Sequence, residues 1–281
     1  MTDNIYYNWF SNLALTTFKW KNLPDTVDPR FLELCLYFDG LAVFFYDDIM
    51  GYLCLQCMIN GELNVYRVPV RRTAYATNGN FNYDLTEENS VVIFNNYTRT
   101  NTFYTVSYYA QKVANVDKTM DINLNAQKTP IALRTSENQR LTTENAFKKY
   151  EGNGPVIVLD ESFNPNTFGV LNLQAPYLVD KLQQQKREYI NEFLTQIGVT
   201  STNNQKKERL ISDEVNTDLG MSVSSIFPRL DMRKQACEKI NALFGLNIDV
   251  EYNKMGVEEL MESYKRVNNP EETEEEVPED E

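Results

Sequence analysis

The sequence contains no histidine. That absence excludes Ser–His–Asp and Cys–His catalysis and any imidazole-held metal. Cysteine is scarce as well, confined to Cys35, Cys54, Cys57 and Cys237. Cys54 and Cys57 form a CxxC, but inside YLCLQCM, which reads as a strand whose positions three apart face opposite sides. A redox CxxC should open a helix, and a four-thiolate zinc site would need Cys35 and Cys237 to converge on the pair. Buried, reduced thiols are the expectation. Long apolar runs are missing too: the longest, Leu41–Tyr46, falls far short of the roughly twenty residues a membrane helix needs. The opening MTDNIYYNWF lacks the basic region and small-residue cleavage site of a secretory signal, so a soluble, non-secreted chain is expected.

Nor is there a nucleotide-binding loop. The nearest candidate, EGNGPVIV with Gly152 and Gly154, precedes a strand, whereas a phosphate cradle leads from a strand into a helix. A helix-stop turn accounts for it better. The carboxylate pairs Asp47–Asp48 and Asp213–Glu214 fall in turn or loop sequence and read as solvated. No lysine stands out as a nucleophile. No enzyme activity and no cofactor are expected.

What is present is a folded body with a charged tail. At 281 residues and 42% hydrophobic content the chain can bury a sizeable core. Its net charge of −13 is misleading, because the last twelve residues, PEETEEEVPEDE, carry eight of the forty acidic groups and no basic one. The rest holds 27 basic against 32 acidic residues, a net −5. The tail reads as a solvated, self-repelling segment.

Two long amphipathic stretches organise the body. In Ala175–Gly198, Pro176 suits a first helical position and Gly198 the residue just past a helix end. Val179, Leu182, Tyr189, Phe193 and Ile197 fall on one side, interrupted by Lys186. In Phe103–Leu124 a 3,4 spacing selects Phe103, Val106, Ala110, Val113, Asp117, Met120 and Leu124, a narrow seam suited to lengthwise packing. Between them the pattern predicts strands at 129–134, 155–159 and 168–173 and a short helix near 142–150, so that two long helices bracket a small α/β insert.

Upstream, Ile5–Trp20 reads as a helix ended by Pro24. Asp28 and Pro29 supply a cap and a first-position proline for a second helix running to Gly40. From Leu41 the runs LAVFFY, YLCLQCMI, VYRVPVRR, TAYAT and VVIFNN predict five short strands and a small, partly open barrel; Pro69 demands a free edge or a bulge. After Gly198 comes a long polar segment, then a helix at 231–244, a strand-like NIDVEY and a helix near 257–267. The cations worth following are Lys181 on the long helix and Lys206, Lys207 and Arg209 in the polar segment. Lys206–Glu214 carries no net charge, whereas a duplex presents one charge per about 1.7 Å of axis and a site built to hold it would be far more basic.

Four segments together resemble the head–tail connector (portal, or upper collar) protein of small podophages that replicate by protein priming. They are NLPDTVDPRFLE (22–33), NAQKTPIALR (125–134), YEGNGPVIV (150–158) with APYLVDKL (175–182), and KKERLISDEV (206–215) with ACEKINALFGLNIDV (236–250). The resemblance covers most of residues 10–255. It implies an α+β, portal-type fold with long stem helices, a small α/β clip and an SH3-like β-barrel wing. The implied parts are N-terminal helices 1–39, the wing 40–98, stem helices 99–128 and 175–198, and the clip 129–174. A channel loop 199–218, a wide-end helical region 219–269 and the acidic tail 270–281 complete the set.

The resemblance further implies a dodecameric ring in the virion, at the capsid vertex, with double-stranded DNA in its channel. A packaging ATPase, capsid or scaffold proteins, and lower collar or tail proteins would be its partners; a ring-shaped tail-collar adaptor touching only proteins is the alternative. Lys181 matches a lysine that the family places in its channel, and Lys206 and Lys207 match a channel-loop pair. Asn172 stands where the family has another channel lysine. The start MTDNIYYNW lacks the basic arm with which relatives contact packaging RNA or DNA, so RNA binding is not carried over.

Overall fold

The computed structural model describes residues 2–76, 78, 81–127, 176–199 and 212–268. The chain divides into two units, Met1–Asn115 with Lys186–Glu281, and Val116–Gln185.

The first unit begins with helix α1 (Thr2–Thr16), which buries Tyr6, Phe10, Leu13 and Ala14. The expected helix over 5–20 stops early, because Phe18–Lys21 forms strand β1. β1 pairs antiparallel with β7 (Asp249–Tyr252), Phe18 opposite Tyr252 and Trp20 opposite Val250. Only a partner more than two hundred residues away makes FKWK a strand, so no local signal announces it. Helix α2 (Pro29–Phe38) starts as the sequence predicts: the Asp28 carboxylate accepts from Arg30 N at 2.9 Å and Pro29 needs no donor. It ends at Gly40, whose φ of +77° and close approach to the 99–101 backbone leave no room for a side chain.

Five strands follow: β2 (Leu41–Asp47), β3 (Gly51–Leu63), β4 (Pro69–Tyr75), β5 (Asn82–Thr86) and β6 (Ser90–Phe94). Their order is β5-β4-β3-β2-β6 and each pairing described is antiparallel. Among the described residues the small, partly open barrel expected here is an open five-stranded sheet with no closing pair between β5 and β6, and nothing in it establishes the SH3-like form. VYRVPVRR and TAYAT contribute the single strand β4, and β5 forms in polar sequence that reads as a turn. Pro69 is the first residue of an interior strand, opposite Leu63 and beside a register shift between Asn60 and Leu63, so its missing donor is met by a bulge and not by an edge.

The open sheet is nonetheless curled. Residues 87–89 alone join β5 to β6, the two outer strands, and can reach about 14 Å. Four strand spacings on a flat sheet would take about 19 Å. The inner face holds Val43, Phe45, Cys57, Ala74, Leu85, Val92 and Phe94. The outer face, with Phe44, Cys54, Val91 and Ile93, packs on Leu32, Cys35 and Leu36 of α2, on Trp20 and Val250, and on Ala236, Cys237 and Ile240. Those last three lie on α5 (Ser212–Phe244), which carries Pro228 within it. α5 starts well before the helix expected at 231, so residues from Ser212 onward are helix where the channel loop was expected to reach 218. Asp213 and Glu214, expected in loop sequence, fall within α5. Helix α6 (Lys254–Asn268) closes the described chain.

The two long stretches are helices α3 (Phe103–Gln127) and α4 (Val179–Ile197). Within the first unit Val106, Ala110, Val113 and Ala114 of α3 share a core with Phe193, Leu194 and Ile197 of α4 and with Phe10, Leu13 and Tyr37. Phe10 and Phe193 stack with ring centroids 4.0 Å apart. Each such buried aromatic contributes roughly 2–3 kcal/mol by area. In the second unit the Asn123 side chain of α3 brackets the entry to α4, donating to Pro176 O at 2.9 Å and accepting from Leu178 N at 3.0 Å. Pro176 thus precedes α4 instead of starting it. The seam changes character along α3: Val106, Ala110 and Val113 are core, whereas Leu124 at its far end is exposed.

Candidate functional site

Among the four cations singled out by sequence, the described residues include Lys181, exposed in the first turn of α4 beside Asp180. Lys206, Lys207 and Arg209 lie outside the described residues, as do Asn172, Gly152, Gly154 and the expected clip 129–174. Lys186, which interrupts the apolar row of α4, sets its ammonium 5.2 Å from the Tyr6 ring centroid. Lys112 of α3 likewise lies 4.6 Å from the Tyr108 ring and 4.5 Å from the Tyr189 ring. These cations are held by aromatic faces.

The thiols are chemically quiet. All four cysteines are free and buried. Burial pushes Cys35 up to about 12, with the Asp39 charge adding to it, and Cys237 up to about 12, with Asp249 adding. Burial pushes Cys57 up to about 11 against the opposing Arg72 charge, and raises Cys54 as well. Cys54 and Cys57 occupy opposite faces of the sheet, as the strand reading requires. Neither the thiolate nor the geometry of a redox pair is present. Asp47 is not the solvated carboxylate expected: it is buried, and its Oδ1 accepts from Ile49 N and Met50 N, fixing the β2–β3 turn. Among the described residues no cluster of His, Cys, Asp and Glu could hold a metal ion.

The strongest polar constellation is one the sequence reading missed. Positions 226, 229, 230, 233, 236, 237 and 240 of α5 follow helical spacing and face the core, yet two of them are arginine. Arg233, fully buried, forks onto Glu33 of α2: Nε donates to Oε1 at 2.9 Å and Nη2 to Oε2 at 2.8 Å. Its Nη1 donates to the carbonyls of Asn95 and Arg229 at 3.0 Å each, and Nη2 to Asn95 Oδ1 at 3.1 Å. Trp20 Nε1 donates to Glu33 Oε1 at 2.8 Å, and the Phe18 ring lies 4.2 Å from the guanidinium. One side chain thus ties α5 to α2, to β1 and to the segment after β6. The signal available in sequence was a pair of arginines four apart on an otherwise apolar helical face, together with Glu33 on the apolar face of α2.

Arg229 extends the joint. Its Nη1 donates to Ile197 O at 3.1 Å, at the end of α4. Burial, reinforced by the Arg233 charge, pushes it down to about 9. There Gly198 ends the helix as the sequence predicts: Val199 N donates to Leu194 O at 2.8 Å and Gly198 N to Thr195 O at 3.1 Å, a Schellman pattern. Gly198 has φ +80°, and a Cβ on it would lie 2.5 Å from Cβ of Ile226 in α5. The arrangement brings together no nucleophile, acid–base pair or phosphate cradle. It fixes the end of a long helix against a second long helix.

The comparison with protein families matches residues 3–257 to the model described as Phage Connector (GP10). Among solved structures, the chain is similar to the portal and tail of native bacteriophage P68, at 15% identity over 95% of this chain and 91% of that one, with a TM-score of 0.47. It is also similar to an HK97 family phage portal protein from Corynebacterium diphtheriae, at 9% identity over 92% and 94% of the two chains, with a TM-score of 0.43. A third similarity is to the virion of a native gene transfer agent particle, at 7% identity over 96% and 85%, with a TM-score of 0.44.

Proposed function

The chain belongs to the Phage Connector (GP10) family, a head–tail connector of the bacteriophage virion, and from that premise we propose that copies of it close into a dodecameric ring whose channel conducts double-stranded DNA. α3 and α4 would form the stem, 129–174 the clip and 40–98 the wing. Residues 199–211 would hang into the channel, and the region from 219 to 269 would form the wide end. A packaging ATPase would dock at the clip, capsid and scaffold proteins would surround the wide end, and lower collar or tail proteins would take the motor's place after filling. The protein itself carries out no reaction.

The observation that supports this reading is the half-satisfied state of the long helix α3 and of the segment that leads into α4. Tyr104 and Tyr108 on the outer side of α3 are exposed within the first unit. Within the second, Ile122, Leu124, Tyr177 and Leu178 are exposed. A ring subunit must bury two lateral faces against identical neighbours through a contact that closes. The weak basicity fits as well. A channel that conducts DNA must not hold it, and isolated rings formed by Lys181, Lys206, Lys207 and Arg209 give repeated, register-free contacts with phosphate.

Native mass spectrometry of the full chain, paired with negative-stain images, tests the ring. A closed ring of about twelve copies with an open centre is expected; a monomer stable in dilute solution overturns it, and a ring with a closed centre favours the protein-only adaptor. Deleting 203–211, which stops short of Ser212, should leave ring assembly and DNA entry intact while filled heads leak. Loss of assembly would overturn the channel-loop assignment.

A further inference from the structure

The first unit buries three guanidinium groups, and Arg72 and Arg233 are buried in different ways, while Arg229 keeps one donor bonded to Ile197 O and leaves its Nε without a partner among the described residues. Arg233 presents its Nε and Nη2 edge to the paired oxygens of Glu33. Arg72 of β4 is only 3% exposed, yet its Nε and Nη2 have no hydrogen-bond partner among the described residues. That edge is the one with which an arginine grips two oxygens of one anion.

The surroundings favour a ligand over a packing accident. In register, Arg72 lies between Ile59 of β3 and Leu85 of β5, two pairs along from Cys57–Ala74 and so on the same, inner face of the curled sheet. Leu85, Cys57 and Ala74 are buried, whereas Ile59 is 43% exposed, so Arg72 sits where the inner face meets solvent. Just beyond, after Asn60 opposite Arg71, the β3–β4 register slips. Gly61 stands in that slip with φ +83°, and a Cβ on it would meet nothing within 4 Å. Bulges of this kind re-aim side chains and loosen strand pairing beside binding sites. Glu87 is the carboxylate whose charge favours the Arg72 cation, but its Oε1 already accepts from Asn64 Nδ2 at 3.2 Å. A buried cation with orphan donors is strongly unfavourable, and a neutral acceptor would answer the donors without answering the charge.

We propose that Arg72 anchors a site for a small oxyanion of the phosphate or carboxylate class, gripped through Nε and Nη2 at the mouth beside the Asn60–Leu63 bulge. The site needs no second copy of the chain and stands apart from ring formation. Arg71, exposed on the same strand, adds long-range attraction but no grip.

Thermal unfolding of the full chain tests it, with inorganic phosphate or acetate titrated against sodium chloride at constant ionic strength. The wild type and Arg71→Met should show a saturable rise in Tm, roughly 3 °C at ten times the half-saturating anion. Arg72→Met should melt at least as high as the wild type without the anion, and keep only the non-saturating rise that excluded salts give any protein. Arg72→Lys, which keeps the charge without the two-donor edge, should raise the half-saturating concentration at least tenfold. Saturation by both anions assigns a general two-oxygen site; saturation by phosphate alone narrows it to phosphate. No saturable rise in the wild type, or one unchanged in Arg72→Met or Arg72→Lys, overturns the proposal.

Discussion

Replacing Arg233 by methionine tests the joint at which α5 is fixed. The wild-type guanidinium makes five hydrogen bonds, to both oxygens of Glu33, to the carbonyl and side-chain oxygen of Asn95, and to the carbonyl of Arg229. Methionine fills much of the volume and supplies no donor. Glu33 would remain buried and charged, its only described donor the Trp20 indole at 2.8 Å. Removing one partner of a buried ion pair costs about 3–5 kcal/mol. At about 2–4 °C per kcal/mol, the midpoint should fall by roughly 10 °C. Urea unfolding measured on Arg233→Met, Glu33→Leu and the double variant completes a cycle. The double variant relieves the isolated charge but leaves the Trp20 indole without Glu33 and the two Asn95 oxygens without Arg233, so it should lie between the worse single variant and the wild type, with a coupling of at least about 2 kcal/mol. Arg233→Lys keeps the charge and loses the fork, and should cost about 1.5–3 kcal/mol. A single Arg233→Met variant within about 1 kcal/mol of the wild type would refute the reasoning, as would a coupling below about 0.5 kcal/mol.

Gly198→Ala should destabilise by about 1–2 kcal/mol from the left-handed backbone and by about 1–3 kcal/mol from the collision with Ile226; adding Ile226→Ala should relieve only the second part, as read by urea midpoints. The four thiols should resist an aromatic disulfide reagent in the folded protein and all react on unfolding; a fast-reacting thiol in the native state would contradict their burial. The same groups predict an alkaline limit. Their folded pKa values lie above the ordinary 9.0, at about 12 for Cys35, about 11 for Cys57 and about 12 for Cys237. The unfolded chain therefore releases these protons first, so the stability they contribute is complete below pH 9 and drains away as pH rises towards 12. Denaturant midpoints collected from pH 8 upward should fall, and Cys237→Ala should lessen the slope.

Legibility from sequence followed the range of the interaction. The Asp28–Pro29 start, the Gly40 and Gly198 stops, the Phe103 and Val179 helices and the opposed faces of Cys54 and Cys57 depend on neighbours within a turn or a strand step, and each could be read. FKWK could not, because a helical period continues through it until β7 arrives to claim it. β5 was hidden for a related reason: NYDLT is polar on both sides save Leu85, and only the register with β4 makes it a strand. The Glu33–Arg233 pair spans two hundred residues of sequence. A buried ion pair has no periodicity of its own beyond a charge in an apolar row. Lys181 is exposed in the first turn of α4, and the channel-loop cations lie outside the described residues.

The curl of the five-stranded sheet bears on how its outer strands avoid pairing with those of another copy. An outermost strand with bare amide and carbonyl groups invites a neighbour's strand to add to it. Here the short link at 87–89 turns the two outer strands towards each other, and Ser90 Oγ donates back to Thr86 O at 2.6 Å across the corner. Asp84, Glu87 and Glu88 line the same corner with negative charge. A strand approaching that corner would meet like charges and a Thr86 carbonyl already occupied, which disfavours its addition there.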